Sequence, residues 1–327
     1  MWNYLLYIKK ECEMISEKLN KNLKTAFYHA GLSKKERNAV QQLWNQDKFK
    51  IIVATIAFGM GIDKKDVRFV IHYSLPKSLE GYYQETGRAG RDGKESICIL
   101  YYNYGDKHKI NYMINLNHQS TKEQKQRQKD ELRDVINFCE NKNDCRRKLI
   151  LKYFDEDFDS TNCKKTCDNC TNTQKTVLVN YTTVANELSS IVRYNKLSLH
   201  QLIDVYRGTG NKKVDNVYAG RGNNIKKTLI ERIIKKMIIK GYIEEKTESK
   251  GGFPWTYLIY RKNVDLLDIE EVHKNEIVAK NKEPIEKNKI NTDKKLAIKN
   301  STNSGKTDIT KKIKVVKKKT LKLTKKK

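Results

Sequence analysis

The sequence predicts a parallel α/β lobe, followed by a helical cysteine-bearing subdomain, a winged helix and a disordered basic tail. Three observations carry this reading. Short apolar runs alternate with helical patterns over the first 115 residues, three cysteines fall within residues 163–170, and aromatic residues stop at Tyr260. With 327 residues, the chain is long enough for about two or three domains of ordinary size.

In the first lobe, residues 24–28, 49–54, 69–73 and 96–102 read as strands. Residues 33–44 read as a helix, with Ser33 as N-cap and Glu36 three positions on forming a capping box. Strands alternating with helices favour a parallel sheet. Residues 115–133, rich in Gln and Lys, read as a polar linker, and 131–154 show helical periodicity leading into the cysteines. Residues 177–261 give three helical stretches and then two strands, 241–245 and 256–260. Helices followed by a hairpin are the pattern of a winged helix. The expected domains are 1–115, 116–176, 177–262 and a tail over 263–327.

Lys and Arg number 67 against 39 Asp and Glu, a net charge of +28. Such an excess selects polyanionic partners, above all nucleic acid. Half of it lies in residues 280–327, which hold 18 Lys and 4 acidic residues. This composition offers too little apolar surface to offset the entropy of ordering, so the tail is expected to be disordered. Its last 17 residues contain 10 Lys and no acid, a run suited to nuclear import or non-specific attraction to DNA. No stretch reaches 18 apolar residues, so no membrane span is expected. The apolar run near Met1 is short and lacks a small-residue cleavage site, which argues against a signal peptide.

Seven cysteines are present. Cys145, Cys163, Cys167 and Cys170 follow C-x17-C-x3-C-x2-C, a spacing that lets four thiolates close a tetrahedron around Zn²⁺. Scattered reduced thiols are the alternative, but the polar flanks of the last three fit that reading poorly. A site with four thiolates has no open coordination position, so its zinc would serve folding and not chemistry. Cys139 is expected to pack as a small apolar side chain.

Two segments point to phosphate chemistry. ATIAFGMGID follows a strand, and its glycines permit close backbone approach to a ligand, with Asp63 placed to accept a ribose hydroxyl. In YYQETGRAGRDG, Arg88 and Arg91 stand three apart and would share one face of a helix, where their forks can grip phosphate oxygens.

These two segments resemble motifs V and VI of superfamily 2 helicases. FYHAGLSKKER and DVRFVIHYSLPKSLEGYYQ are similar to the RecQ family in particular. The resemblance runs on through CENKNDCRRKLILKYF into the cysteines, and through DVYRGTGNKKV and the GYIEE hairpin, which look like the winged helix of the RecQ C-terminal domain. It covers residues 4–261, with a flavour nearer to Bloom- and Werner-type members.

The resemblance implies an ATP-dependent 3′→5′ DNA helicase active in repair, recombination and replication, with ATP bound between two RecA-like lobes of which this chain carries the second. Arg88 and Arg91 match arginine fingers that offset charge on the transferred phosphoryl group. Gln84 matches the glutamine that links this helix to the nucleotide. Gly61 and Asp63 match positions that couple nucleotide state to DNA grip. Thr55, His29 and Gly31 match strand-end positions that hold the phosphates of the tracking strand.

In the winged helix, Arg207, Lys212 and Lys213, with Lys226, Lys227 and Lys235 on a helix over 223–240, would contact duplex phosphates, which position without specifying sequence. The alternative for that helix is a solvated basic face. On the wing, Phe253 or Trp255 would stack on the terminal base pair and split it, base stacking being worth about 1–3 kcal/mol. The rival reading packs Trp255 inward against the wing's base.

Relatives in the family also carry a Walker A loop and a DExH Mg²⁺ site, and neither occurs in this sequence. Ser304-Gly305-Lys306-Thr307 resembles the end of a P-loop, but Asn300 stands where the motif needs Gly. The helicase-and-RNaseD C-terminal module also has no counterpart. The expectation is therefore the C-terminal half of a helicase that needs its missing lobe, with its ATP and Mg²⁺, to hydrolyse ATP. Forks, junctions and repair or recombination proteins would be its partners. The competing readings are a non-enzymatic zinc-containing DNA-binding protein and, less in keeping with a cysteine cluster before a winged helix, an RNA helicase.

Overall fold

A computed structural model of the chain describes residues 2–58, 63–172, 174, 176–210, 214–250, 253–272 and 311–317. The chain divides into two units, Met1–Asn172 with Thr302–Lys327, and Thr173–Ser301.

The first unit opens with a helix, α1 (Trp2–Asn20). Cys12 and Ser16, one helical turn apart, are the buried positions among its described side chains, a spacing that fits the 3.6-residue period of a helix. Then come β1 (Thr25–Tyr28), α2 (Lys34–Asn45) and β2 (Ile51–Ala54). The strands β1 and β2 are parallel, with Thr25 opposite Ile51 and Tyr28 opposite Ala54. The capping box at α2 forms as the sequence predicts: Glu36 N donates to Ser33 Oγ at 3.2 Å, and Ser33 N donates to Glu36 Oε2 at 2.7 Å.

A second parallel pair follows, β3 (Phe69–His72) and β4 (Ser96–Tyr102), with α3 (Leu79–Thr86) connecting them. The buried face of β4 presents Ser96, Cys98, Leu100 and Tyr102 at alternate positions, the period-two signature of a strand. Next are α4 (Asp106–Leu116) and α5 (Lys122–Glu140). The expected polar linker is thus largely helix. Thr121 and Gln124 form a second capping box, and Leu132, Val135, Ile136 and Cys139 give α5 a buried stripe, so a Gln- and Lys-rich surface does not prevent helix formation. The periodic run ends at Asn141 and restarts at α6 (Arg146–Tyr153). A 3-10 turn (Ser160–Cys163) and a one-turn helix α7 (Asp168–Thr171) close the cysteine region.

The second unit comprises β5 (Thr176–Asn180), α8 (Thr182–Tyr194), α9 (Leu199–Arg207), α10 (Lys227–Ile239), and the hairpin β6 (Ile243–Lys250) and β7 (Phe253–Tyr260). The three helices and the hairpin are those expected of a winged helix, although the hairpin is longer than predicted. Its apolar core gathers Leu188, Ile191, Leu202, Ile203, Ile230, Ile233 and Met237, all fully buried.

Two described segments of the expected tail carry structure. Residues 264–269 contribute Val264, Leu267 and Ile269 to that core, and β8 (Asp268–Val272) pairs antiparallel with β5, Thr176 opposite Val272. These few apolar residues lie just ahead of the Lys-rich stretch, so the compositional average concealed them. In the first unit β9 (Lys311–Lys317) lies parallel to β4, Ser96 opposite Lys311 and Tyr102 opposite Lys317. Ile313 and Val315 there stand in register with the buried Cys98 and Leu100. The remainder of the expected tail lies outside the described residues.

Candidate phosphate-binding loop and four-cysteine metal centre

The helix α3 begins with Ser78 Oγ accepting from Gly81 N at 3.1 Å. It ends at Thr86, with Gly87 as C-cap. Arg88 and Arg91 therefore lie in the turn after the helix, and the shared helical face expected for them is absent. What sets their loop is a set of tertiary clamps. Gly90 N donates to Val67 O at 2.9 Å, and Asp92 N donates to Lys65 O at 3.1 Å. Gly90 has φ +69, and a Cβ there would approach Ser96 Oγ to 2.7 Å, so the position requires glycine. Arg68, not anticipated from the sequence, gives Asp92 a 2.5 Å ion pair and donates to the Glu95 carbonyl at 3.0 Å. Hydrogen bonding to Arg68 holds the Asp92 carboxyl below the ordinary carboxylate range.

Arg91 Nη1 lies 3.1 Å from Asp63 Oδ1. Two residues 28 positions apart, each singled out by its own motif, thus meet in one place. Gln84 is exposed on α3, and Gly61 lies outside the described residues. At the ends of the other strand pair, Thr55 N donates to Tyr28 O at 3.1 Å, and Thr55 Oγ1 accepts from Ala57 N at 3.4 Å. Gly31 N donates to His29 Nδ1 at 3.2 Å. His29 itself is buried, with Nε2 2.9 Å from Glu13 Oε1. Its side chain is occupied inside the protein, against the expectation of a phosphate contact, because α1 brings Glu13 over it. A Cβ on Gly31 would lie 2.9 Å from Lys9 Nζ; this lysine beside the strand-end turn had no signal in the sequence.

The four predicted cysteines converge. The sulfurs of Cys145, Cys163, Cys167 and Cys170 all lie within 4.8 Å of one another, the first three in buried residues. Cys145 precedes α6 as its N-cap, and Cys163 closes the 3-10 turn. Cys167 caps α7, its sulfur accepting from Cys170 N at 3.4 Å. Lys164 and Lys165 adopt positive φ, 49 and 55, which turns the chain sharply between Cys163 and Cys167. Hydrogen bonding with Cys145 lowers the Cys167 thiol to about 4, and hydrogen bonding with Cys167 in turn pushes Cys145 up. Burial pushes Cys170 up to about 12. Thiols this close oppose each other's ionisation, and a cation at their centre removes that opposition. The donor set fits a structural zinc ion, held by four sulfurs with no position left for a reactant. Cys139 is buried outside the set, as expected.

A buried arginine braces this centre. Arg146, 2% exposed, is the first residue of α6, next to Cys145, and its Nε and Nη2 meet Asp168 Oδ1 and Oδ2 at 3.0 and 3.1 Å. Its Nη1 donates to the Phe138 carbonyl on α5. The fork-to-fork geometry leaves neither charge unpaired.

In the winged helix the expected duplex contacts divide. Lys226 is exposed, while Lys227 is exposed with Nζ 3.5 Å from Asp204. Lys235 is buried and its Nζ lies 2.7 Å from Glu231. This corrects its assignment as a phosphate contact: α10 is a core helix, and its middle turns face inward instead of forming a basic surface. Arg207 closes α9 and is half-buried, and Lys212 and Lys213 lie outside the described residues. Trp255 stacks on Tyr257 with ring centroids 4.8 Å apart. Tyr257 is buried and donates from its hydroxyl to Glu248 Oε1 at 2.7 Å. Trp255, half-buried, is thus laid along the hairpin. The Phe253 side chain lies outside the described residues.

Three family models match in series: "Helicase conserved C-terminal domain" over residues 4–93, "RecQ zinc-binding" over 104–171 and "RQC domain" over 175–283. The chain is 44% identical over 262 residues to the ATP-dependent DNA helicase hus2/rqh1 of Schizosaccharomyces pombe, a match covering 77% of this chain and 20% of that protein. It is 40% identical over 263 residues to the ATP-dependent helicase SGS1 of Saccharomyces cerevisiae, covering 76% of this chain and 18% of that one. Against the ATP-dependent DNA helicase Q1 of Pongo abelii the identity is 35% over 270 residues, covering 81% and 40%. The chain thus spans about a fifth to two-fifths of the length of these relatives. Among the described residues no helix is long and apolar enough to cross a membrane. A helicase C-terminal lobe, a four-cysteine centre inside the zinc-binding match and a winged helix inside the RQC match, in that order, place this chain in the RecQ family.

Proposed function

We propose that this chain is the C-terminal half of an ATP-dependent 3′→5′ DNA helicase of the RecQ type, acting on forks and junctions in DNA repair, recombination and replication in the nucleus. The observation that carries this reading is the meeting of Arg91 and Asp63 at 3.1 Å, which joins the two motif segments. In this role Arg88 and Arg91 reach the γ-phosphate, while Gln84 contacts the nucleotide held mainly by a partner lobe. The Arg91–Asp63 pair is an exposed resting contact that the incoming phosphate displaces. Thr55 and the Gly31 turn supply strand-end contacts to DNA phosphates, and Arg207, Lys226 and Lys227 bind duplex on the winged helix. The zinc supports folding, and ATP and Mg²⁺ belong to the assembled motor. Alone, the chain binds DNA without turning over ATP, since its 327 residues contain no Walker A or DExH segment.

The test is DNA-stimulated ATP hydrolysis and fork binding, with zinc content measured on the same sample. No turnover by the chain alone, turnover once a Walker A-bearing RecQ lobe is supplied, and loss of that turnover in Arg91→Ala together support the proposal. Full turnover in Arg91→Ala removes the arginine finger from the reading. Tight fork binding with no turnover under any complementation favours the non-enzymatic zinc-containing DNA-binding protein.

A further inference from the structure

The helix that delivers the two arginines is gripped by the cysteine subdomain at three places. Tyr82, fully buried, packs its ring against Phe138 of α5 at 5.7 Å. Tyr83 packs on Phe154 at 5.1 Å. The Tyr153 hydroxyl donates to Glu80 Oε1 at 2.6 Å, a contact between residues 73 positions apart. Each gripping residue is tied to the metal centre by a short path. Phe138 offers its carbonyl to Arg146, which is bonded covalently to Cys145 and ion-paired with Asp168, the neighbour of Cys167. Tyr153 and Phe154 end α6, the two-turn helix whose N-cap is Cys145. On the other side, α3 passes directly into Gly87 and Arg88, with Arg88 N donating to Glu85 O at 3.3 Å and Ala89 N to Thr86 O at 3.1 Å.

We infer that Tyr153 and Arg146 are positioning residues, through which a filled four-cysteine site fixes α3 and hence the Arg88–Arg91 loop. The metal then does more than hold its own subdomain together. By fixing Cys145 against Cys167 it sets the start of α6, and α6 carries that setting to Glu80 and Tyr83. Neither residue touches the phosphate site. The consequence for turnover rests on the helicase reading above, but the mechanical coupling does not.

The experiment follows hydrogen–deuterium exchange in the full 327-residue chain, so its outcome is independent of ATP hydrolysis. Peptides covering residues 79–93 are compared between zinc-loaded protein and protein stripped by a chelator, with residues 25–54 as reference. Tyr153→Phe, which keeps the ring and loses the hydroxyl, is measured zinc-loaded. The expected result for Tyr153→Phe is one zinc per chain and about tenfold faster exchange across 79–88, with the reference unchanged, as for loss of one hydrogen bond to a charged acceptor. Zinc removal is expected to speed 79–93 more than that. Unchanged exchange at 79–93 on zinc removal, or in zinc-loaded Tyr153→Phe, overturns the inference. If stripping zinc also frees the reference peptides, the zinc-loaded Tyr153→Phe comparison decides alone. Failure of the ATPase assay with this coupling intact would defeat only the helicase reading.

Discussion

In the winged helix, Leu188, Ile191, Leu202, Ile230 and Ile233 close on one another with no solvent exposure. In the α/β lobe, Phe69 and Ile71 of β3 remain 42% and 49% exposed. The arginine loop beyond it is held by Arg68, Asp92 and a backbone clamp, and the adjoining cysteine region by four sulfurs and the Arg146–Asp168 pair. One region derives its order from apolar area removed from water, a term that is non-directional and tolerant of substitution that preserves volume. The other has buried apolar positions of its own, on β4 and α5, but its arginine loop and cysteine region are held in addition by a few directional contacts, each of which is specific and each of which can be removed singly. A region of the second kind is well placed to respond to ligand, metal and pH.

This contrast breaks most readily at the metal. Cys163→Ser is expected to abolish stoichiometric zinc and expose residues 141–171 to protease, while residues 182–260 stay protected. Zinc binding of this type is worth on the order of 10 kcal/mol or more to the fold that it completes. Collapse of both regions in limited proteolysis would show that their stabilities are not separate. Ile233→Ala is the converse test. It is expected to cost the winged helix about 2–5 kcal/mol in denaturant unfolding, with zinc content unchanged.

Gly222→Ala sharpens the comparison inside the winged helix. An added Cβ would overlap the Tyr206 ring, and Tyr206 is buried with its hydroxyl 2.5 Å from Glu187 Oε2. Overpacking of this kind costs about 1–3 kcal/mol, read as a lower denaturation midpoint without a change of slope. The smallest effect is expected for acid. Asp92 has its carboxyl lowered by Arg68, so its contribution is complete above the unfolded value of about 3.9 and fades as pH falls through the lower folded value. Exchange at residues 88–94 should quicken only in that acid window, and Asp92→Asn should remove the pH dependence. The same acid response in Asp92→Asn would assign it to another group.

Much of both regions was legible because the relevant signals are local. The capping box at Ser33, the strand alternation of 96–102 and the three helices of the winged helix each reside in a window of 13 residues or fewer. The cysteine set was legible for the same reason, since Cys163, Cys167 and Cys170 lie within two turns of chain. Residues 115–133 were misread because surface Gln and Lys mask a buried stripe that becomes apparent only beyond Leu132. Residues 264–272 were misread because a segment was judged by the average composition of the tail that follows it.

By itself the sequence determined most of the element types, the four-cysteine cluster and the two phosphate-type motifs, since period, capping and short spacings are properties of neighbouring residues. Only the tertiary structure decided which charged groups pair with one another and which of them are buried. It put Glu13 on His29, Glu231 on Lys235 and Asp63 on Arg91, and it placed Arg88 and Arg91 after α3 instead of on it. It also brought Tyr153 to Glu80 across 73 residues of chain. Even in the Glu231–Lys235 pair, local on α10, the lysine becomes buried only because the helix packs into the core. The physical reason is that a charge's partner and its exposure depend on which surfaces meet when the chain closes, and no local pattern records that.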